Sequence, residues 1–403
     1  MEKEFKSEII MKSNKELYEK IYSKFNLRIS KTHFSGSSPP EIFVGRYNYP
    51  FVNTGILSPE EYGDTQEMSM PEIWHEKNFD IERILNLRGK LIYARFKSNI
   101  KDARKETRFL SLMQEVSLAV KPVSIEVFLK KAPTIKFSLD SHVPIIGNPA
   151  PLKNARLEEN PKTERKVEYL VGDEDVKATE AMKELYKSRI EVSSIIKVLS
   201  AGLLGQKLSR KLVPTRWSVT AVDDTLSKHL LEKIRFYPEI SEILVFHSDY
   251  LGNHYEFLLL PDKFSFEVIE VKLSGSIWNP SQALYLCQDY EGFHGRKSYA
   301  ENVTGAYYAN RLALCEYLES LKRQASCLVM REVRPEYYAP CGVGILREAS
   351  RAAFRENPEK FENLSEAFNS IKTRIKLPVA VFKDNSWHLK ERKKQRKLSE
   401  FFV

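Results

Sequence analysis

Between Ile243 and Leu273 the chain sets three strand-like runs close together, and that spacing limits the fold more than any other feature. Ile243-Leu244-Val245-Phe246 and the run from Tyr255 to Leu260 are apolar, with Gly252-Asn253 near the turn between them. Two such runs joined through Gly-Asn read as a hairpin. The run from Phe264 to Leu273 alternates and reads as a third strand. Other strands stand singly. Val123, Ile125, Val127 and Leu129 alternate strictly, and Cys327 to Met330 forms a further run. Helical spacing appears at Phe109, Leu112, Met113 and Val116, and from Ala178 along Met182, Leu185, Val192, Ile195, Ile196 and Leu199, which predicts one long helix. Hairpin groups mixed with single strands and helices predict an α+β fold, a mixed or antiparallel sheet with packed helices; α/β is the second choice.

Turn formers set the expected loops. Phe34-Ser-Gly-Ser-Ser-Pro-Pro40 reads as a turn cluster, and Asn148 to Pro161 as a surface loop. Pro214 to Ser218, followed by Asp223-Asp224-Thr225, reads as a loop leading into a helix. Residues 1–33 read as a polar leader. Across 403 residues, 42% hydrophobic and 11% aromatic content excludes wholesale disorder. No apolar run approaches the roughly 18 residues a membrane span needs. The start, Met1 to Lys6, has no apolar core of a secretory signal, so a cytoplasmic protein with no membrane partner is expected. Cys287, Cys315, Cys327 and Cys341 are scattered, which predicts reduced core thiols and no zinc site. No phosphate-binding loop, dinucleotide fingerprint, nucleophile elbow or HExxH motif is present, so no cofactor is implied and no catalytic motif stands out.

The end of the sequence carries the sharpest signal. Lys390, Arg392, Lys393, Lys394, Arg396 and Lys397 stand against Glu391 and Glu400, which is nearly half of the net charge of +9. Within and after that run come Gln395, Leu398, Phe401 and Phe402. Side chains three apart eclipse on a 3₁₀ turn, so Leu398, Phe401 and Phe402 would form one apolar plug. This pattern resembles the PCNA-interacting peptide (PIP motif) by which replication and repair proteins bind the sliding clamp. The resemblance makes PCNA the expected partner, with Lys393, Lys394, Arg396 and Lys397 as flanking basic residues that speed association with an acidic clamp face.

The body also resembles a family. Phe34 to Pro40, Val44-Gly-Arg-Tyr-Asn-Tyr-Pro50, Pro214-Thr-Arg-Trp-Ser-Val-Thr-Ala-Val-Asp-Asp224, Tyr250-Leu-Gly-Asn253, Tyr290-Glu-Gly292, Gly295-Arg-Lys-Ser-Tyr299 and Arg331-Glu-Val-Arg-Pro-Glu-Tyr337 are similar to the archaeal Nre DNA-repair proteins. The resemblance implies a DNA damage repair role, an N-terminal-type region over 34–285, a C-terminal-type region over 286–388, and a flexible basic tail with the PIP motif over 389–403. Some members carry an N-terminal four-cysteine zinc finger; here no cysteine precedes Cys287.

Two weaker features concern the body's chemistry. Arg46, Tyr47, Arg216, Trp217, Arg296 and Lys297 would form a cationic-aromatic surface for DNA if they converge. Glu270 and Lys272, with Asp249 upstream, have the residue types of a metal-dependent nuclease. An alternating strand with Glu and Lys on its wet face is the commoner meaning of that pattern. A DNA- or protein-binding body, a nuclease-like enzyme, and a non-enzymatic adaptor at the clamp are therefore the functional classes to separate.

Overall fold

The computed structural model describes residues 31–134, 142–279 and 283–394. The chain divides into two compact units, one formed by Met1–Leu226 with Ala339–Ile345, the other by Ser227–Tyr338 with Leu346–Val403. Among the described residues each unit holds one six-stranded mixed sheet with helices, so the fold is α+β.

In the first unit the strands are β1 (His33–Ser38), β2 (Ile42–Val44), β3 (Phe51–Ser58), β4 (Ile92–Asn99), β5 (Val123–Leu129) and β6 (Asn148–Leu157), in the order β1-β5-β6-β4-β3-β2. β4 and β6 pair in parallel; every other neighbour is antiparallel. The alternation of β5 is seen directly, with Val123, Ile125, Val127 and Leu129 buried. β3 and β4 approach so closely that a Cβ at Gly55 would meet the Ala94 carbonyl oxygen at 2.1 Å, which requires glycine there. The helices of this unit are α1 (Pro71–Glu76), α2 (Ile81–Gly89), α3 (Arg108–Leu118), α4 (Arg165–Gly172), α5 (Ala178–Lys187) and α6 (Val192–Ser200). The helix α7 (Thr215–Ile234) begins in it.

Four local expectations are corrected here. Phe34 to Ser38 is strand β1, whose partner is β5. The expected loop at Asn148 to Pro161 is largely strand β6. Pro149 and Pro151 fit it because their carbonyls accept from Thr134 (3.2 Å) and Lys130 (2.8 Å), so their backbones turn away from β4 and the missing N–H costs no bond to it. The predicted long helix from Ala178 is two helices, broken where Arg189 takes a positive φ of 62°. The stretch from Thr215 through Asp224 is the first half of α7, with Asp223 fully buried. Val219, Val222, Leu226 and Leu230, all buried, mark its inner stripe.

The second unit has β7 (Ile243–Tyr250), β8 (Asn253–Leu260), β9 (Ser265–Lys272), β10 (Tyr285–Glu291), β11 (Ser326–Val333) and β12 (Glu359–Phe361), in the order β10-β9-β11-β8-β7-β12. Leu251 and Gly252, with φ of 54° and 76°, turn the β7–β8 hairpin, as left-handed residues do in a two-residue connection. β11 lies between β8 and β9, parallel to β9. The helices are α8 (Gly305–Leu321), α9 (Val343–Arg355, whose first three residues are counted with the first unit), α10 (Leu364–Ile371), α11 (Val379–Asn385) and α12 (Trp387–Lys394). Val245, Leu258, Ile269, Val271, Leu328 and Met330 pack with Phe368, Ile371, Phe382 and Leu389 into one core. All four cysteines are reduced and buried. Among the described residues no helix is long and apolar enough to cross a membrane.

Candidate nucleic-acid interface

In the first unit, β2 runs into a short loop whose geometry is fixed from several sides. The Val44 N–H donates to Thr215 Oγ1 at 3.0 Å, which ties the end of β2 to the first residue of α7. Gly45 N–H donates to the Asn53 carbonyl and Phe51 N–H to the Asn48 carbonyl, both at 2.8 Å. The Ile100 N–H donates to the Pro50 carbonyl at 3.0 Å, which sets exposed Lys101 beside the loop's end. Asn48 adopts a positive φ of 62°.

This frame presents aromatic rings to solvent. Tyr47 is 72% exposed, Tyr49 50%, Phe51 62% and Trp217 44%. Tyr49 and Trp217 have ring centroids 5.3 Å apart, so the loop and α7 build one platform. The Arg46 guanidinium lies 5.3 Å from the Tyr47 ring centre, and Arg216 precedes Trp217 in the first turn of α7. No acidic residue interrupts Gly45 to Phe51 or Thr215 to Val222. Exposed rings beside cations suit a strand of nucleotides. Bases stack on the rings while phosphates meet the cations. Of the residues expected from sequence, Arg46, Tyr47, Arg216 and Trp217 meet here. Tyr49 and Phe51 were missed, although the alternation Tyr47-x-Tyr49-x-Phe51 marks them.

The remaining expected residues belong to the second unit. Lys297 is exposed. Arg296 is not presented to a ligand; it stitches its own loop. Its side chain donates to the carbonyls of Tyr290 (3.0 Å), Tyr299 (3.1 Å) and Ser298 (3.3 Å) and pairs with Asp289 at 3.0 Å.

Glu270 and Lys272 are likewise engaged. Glu270 is buried and pairs with buried Arg331, whose other nitrogen reaches Asn253. Lys272 Nζ sits 3.4 Å from Glu270 and 4.6 Å from the Tyr285 ring centre. Asp249 pairs with Arg334 at 2.6 Å and faces His254 at 3.3 Å. It lies on β7, three strands away from β9 with β8 and β11 between, or roughly 14 Å at the usual strand spacing. One cation cannot span that distance, so these carboxylates do not form a shared metal site. Among the described residues no cluster of three His, Cys, Asp or Glu has metal-holding geometry.

Gln395, Arg396, Lys397, Leu398, Phe401 and Phe402 lie outside the described residues. The residues just before them are ordered by a long-range cap. Glu267, fully buried on β9, accepts from Ser386 Oγ at 2.6 Å and from the backbone N–H groups of Trp387 (2.6 Å) and His388 (3.1 Å). A carboxylate there satisfies the open amides of the α12 N-terminus and complements its dipole. The stretch from Leu389 to Lys394, expected to begin the flexible tail, is thus helix. Leu389 is buried in the core, and Lys394 pairs with Glu391 at 2.9 Å. Lys393 lies within α12.

Residues 11–279 match the profile described as Archaeal Nre, N-terminal, and residues 291–401 match Archaeal Nre, C-terminal. The chain is 38% identical over 366 residues to the DNA repair protein NreB of Archaeoglobus fulgidus, covering 91% of each chain. It is 34% identical over 374 residues to the DNA repair protein NreA of Haloferax volcanii, covering 91% of this chain and 89% of that one. Against NreA of Archaeoglobus fulgidus it is 37% identical over 338 residues, 84% of each chain. No solved structure matches it.

Proposed function

The chain belongs to the archaeal Nre family, and from that premise we propose that it is a DNA repair factor, cytoplasmic, brought to DNA by the sliding clamp PCNA. The C-terminal PIP motif, Gln395, Leu398, Phe401 and Phe402, docks on the clamp. The body holds nucleic acid on the platform of Tyr47, Tyr49, Phe51 and Trp217, with Arg46 and Arg216 on the phosphates. The observation that carries the DNA-binding part is the pairing of Tyr49 with Trp217, which joins two distant segments of sequence into one exposed aromatic surface. Large exposed rings on a soluble surface mark an interaction site.

Fluorescence anisotropy with single-stranded DNA tests this part. The full chain binds, binding weakens steeply with salt, and a Tyr49→Ala, Trp217→Ala double variant loses it. Unchanged binding by the double variant places the interface elsewhere.

A further inference from the structure

The sheet of the first unit leaves half of one face uncovered, and that half borders the platform. Along β3, Val52, Thr54 and Ile56 are buried, and Thr54 Oγ1 lies 2.9 Å from Met113 Sδ of α3. The alternate residues belong to the opposite face, because side chains alternate along a strand. At the far end of β3 that face is covered: Leu57 and its β4 partner Tyr93 pack with Leu87 of α2. At the near end it is open. Phe51, a ring of the platform, begins β3 there and stands opposite Asn99, and Asn53 stands opposite exposed Lys97. Gly55 stands opposite half-buried Arg95, and Arg95 in turn opposite Pro151 of β6. Exposed Lys153 follows Pro151 by two residues, and exposed Lys101 comes just after β4.

Arg95, Lys97, Lys101 and Lys153 thus gather on or beside the open half. Among the described residues no hydrogen bond or ion pair engages their side-chain nitrogens. Toward the other edge of the same face, charges do close on one another. Glu126 of β5 stands opposite Arg156 of β6, pairs with it at 2.5 Å, and meets His33 of β1 at 2.9 Å. The sheet therefore neutralises its exposed cations at one side and leaves them open beside the aromatic rings. Like charges on neighbouring strands repel, so the bare surface is raised in energy. An anion lying across it relieves that repulsion, and a polyanion meets all four cations at once.

We propose that this half-face is a phosphate track. Single-stranded DNA leaves the platform at Phe51 and crosses β3, β4 and β6, with its phosphates on Lys101, Lys97, Arg95 and Lys153. The proposal rests on the nucleic-acid reading of the platform and extends its ligand from a few stacked bases to a longer strand. Neighbouring strands lie about 4.8 Å apart, so the crossing adds roughly 10 Å to the footprint. Phosphate contacts position a strand without reading its bases, and ring stacking accepts every base. The ligand class is therefore single-stranded DNA of any sequence, long enough to cover platform and track together. Its bases must be unpaired to stack on the rings, which selects a strand already parted from its complement.

The test is anisotropy of the full chain with oligothymidylates of increasing length, repeated over a salt series. Affinity is expected to keep rising with length beyond the shortest oligomer that binds. Combining Arg95→Gln, Lys97→Gln and Lys153→Gln is expected to keep the short oligomer and abolish that rise. It should also lower the slope of log affinity against log salt by about 2, since each single-strand phosphate contact contributes about 0.7. The charge-keeping triple variant, Arg95→Lys, Lys97→Arg and Lys153→Arg, retains both slope and rise. An unchanged slope and length dependence in the Gln variant overturns the track and leaves the platform standing. Equal loss in both triple variants assigns these positions to folding and likewise overturns the track. Tighter binding of a duplex of the same length overturns the single strand as occupant. Absence of binding by the full chain at every length overturns the platform and the track with it.

Discussion

At the residue scale, long-range contacts decide what a side chain does. Arg46 lies against an exposed tyrosine ring, and Arg296 gives its donors to three carbonyls and Asp289. Nothing local separates Arg46-Tyr47 from Arg296-Lys297 in the sequence; Asp289 and the course of the loop do. Of the exposed rings, Tyr47 and Trp217 were legible in the sequence, whereas Tyr49 and Phe51 were missed despite the alternation Tyr47-x-Tyr49-x-Phe51. Stacking is worth about 1–3 kcal/mol per base. Trp217→Ala and Tyr47→Ala are each expected to weaken single-stranded DNA binding accordingly, with little change in salt dependence. Arg46→Gln is expected to reduce the slope of log affinity against log salt by about one phosphate contact. Anisotropy titrations across a salt series check both. Glu270 is read differently from its sequence context, as the partner of buried Arg331. Removing one member strands the other charge, so Glu270→Ala is expected to cost about 3–5 kcal/mol of stability in urea unfolding. An unchanged unfolding midpoint would show that the pair is not structural.

At the element scale, most helices and strands follow from period and hairpin spacing, and the misread segments have identifiable causes. β6 hides behind two prolines whose backbones face away from β4. The first half of α7 hides behind Pro, Thr, Ser and Asp, residues typical of loops, although Val219, Val222 and Leu226 keep a helical stripe. α12 was unreadable because its cap, Glu267, comes from a strand far away in sequence. Glu267→Ala removes a charged acceptor for two backbone amides, each such bond being worth roughly 1.5–3 kcal/mol. The expected result is faster hydrogen exchange over Trp387 to Lys394; unchanged protection there contradicts the cap.

His388 adds a pH dependence to the same helix. Its Nδ1 lies 3.6 Å from Glu267, but that carboxylate is already filled by Ser386, Trp387 and His388 donors, and burial lowers the imidazole to about 3. The unfolded residue titrates near the ordinary value of about 6.5. Between those values the unfolded chain binds more protons. The contribution of His388 is therefore complete above pH about 6.5 and is lost as pH falls, by up to about 1.4 kcal/mol per pH unit. His388→Leu is expected to flatten the acid limb of the stability profile. If the two profiles stay parallel below pH about 6.5, His388 is charged in the fold.

At the scale of the whole molecule, the family profiles part between residues 279 and 291, whereas the first structural boundary falls after Leu226. The strands β7 to β9 thus match the N-terminal profile yet build the second unit's sheet with β10 and β11. Sequence spacing cannot reveal that boundary, because the parallel pairing of β9 with β11 joins residues about sixty positions apart. With α12 ordered through Lys394, a chain ending at Lys394 is expected to keep its fold and its DNA affinity and to lose only the clamp. Melting temperature and anisotropy check the first two properties. Isothermal titration calorimetry of the full chain against PCNA from the same organism is the most direct measurement. Burial of the Phe rings, offset by ordering of the tail, predicts a Kd on the order of micromolar. The Phe401→Ala, Phe402→Ala double variant should then give no detectable heat, and equal binding by that variant would contradict clamp docking through this peptide.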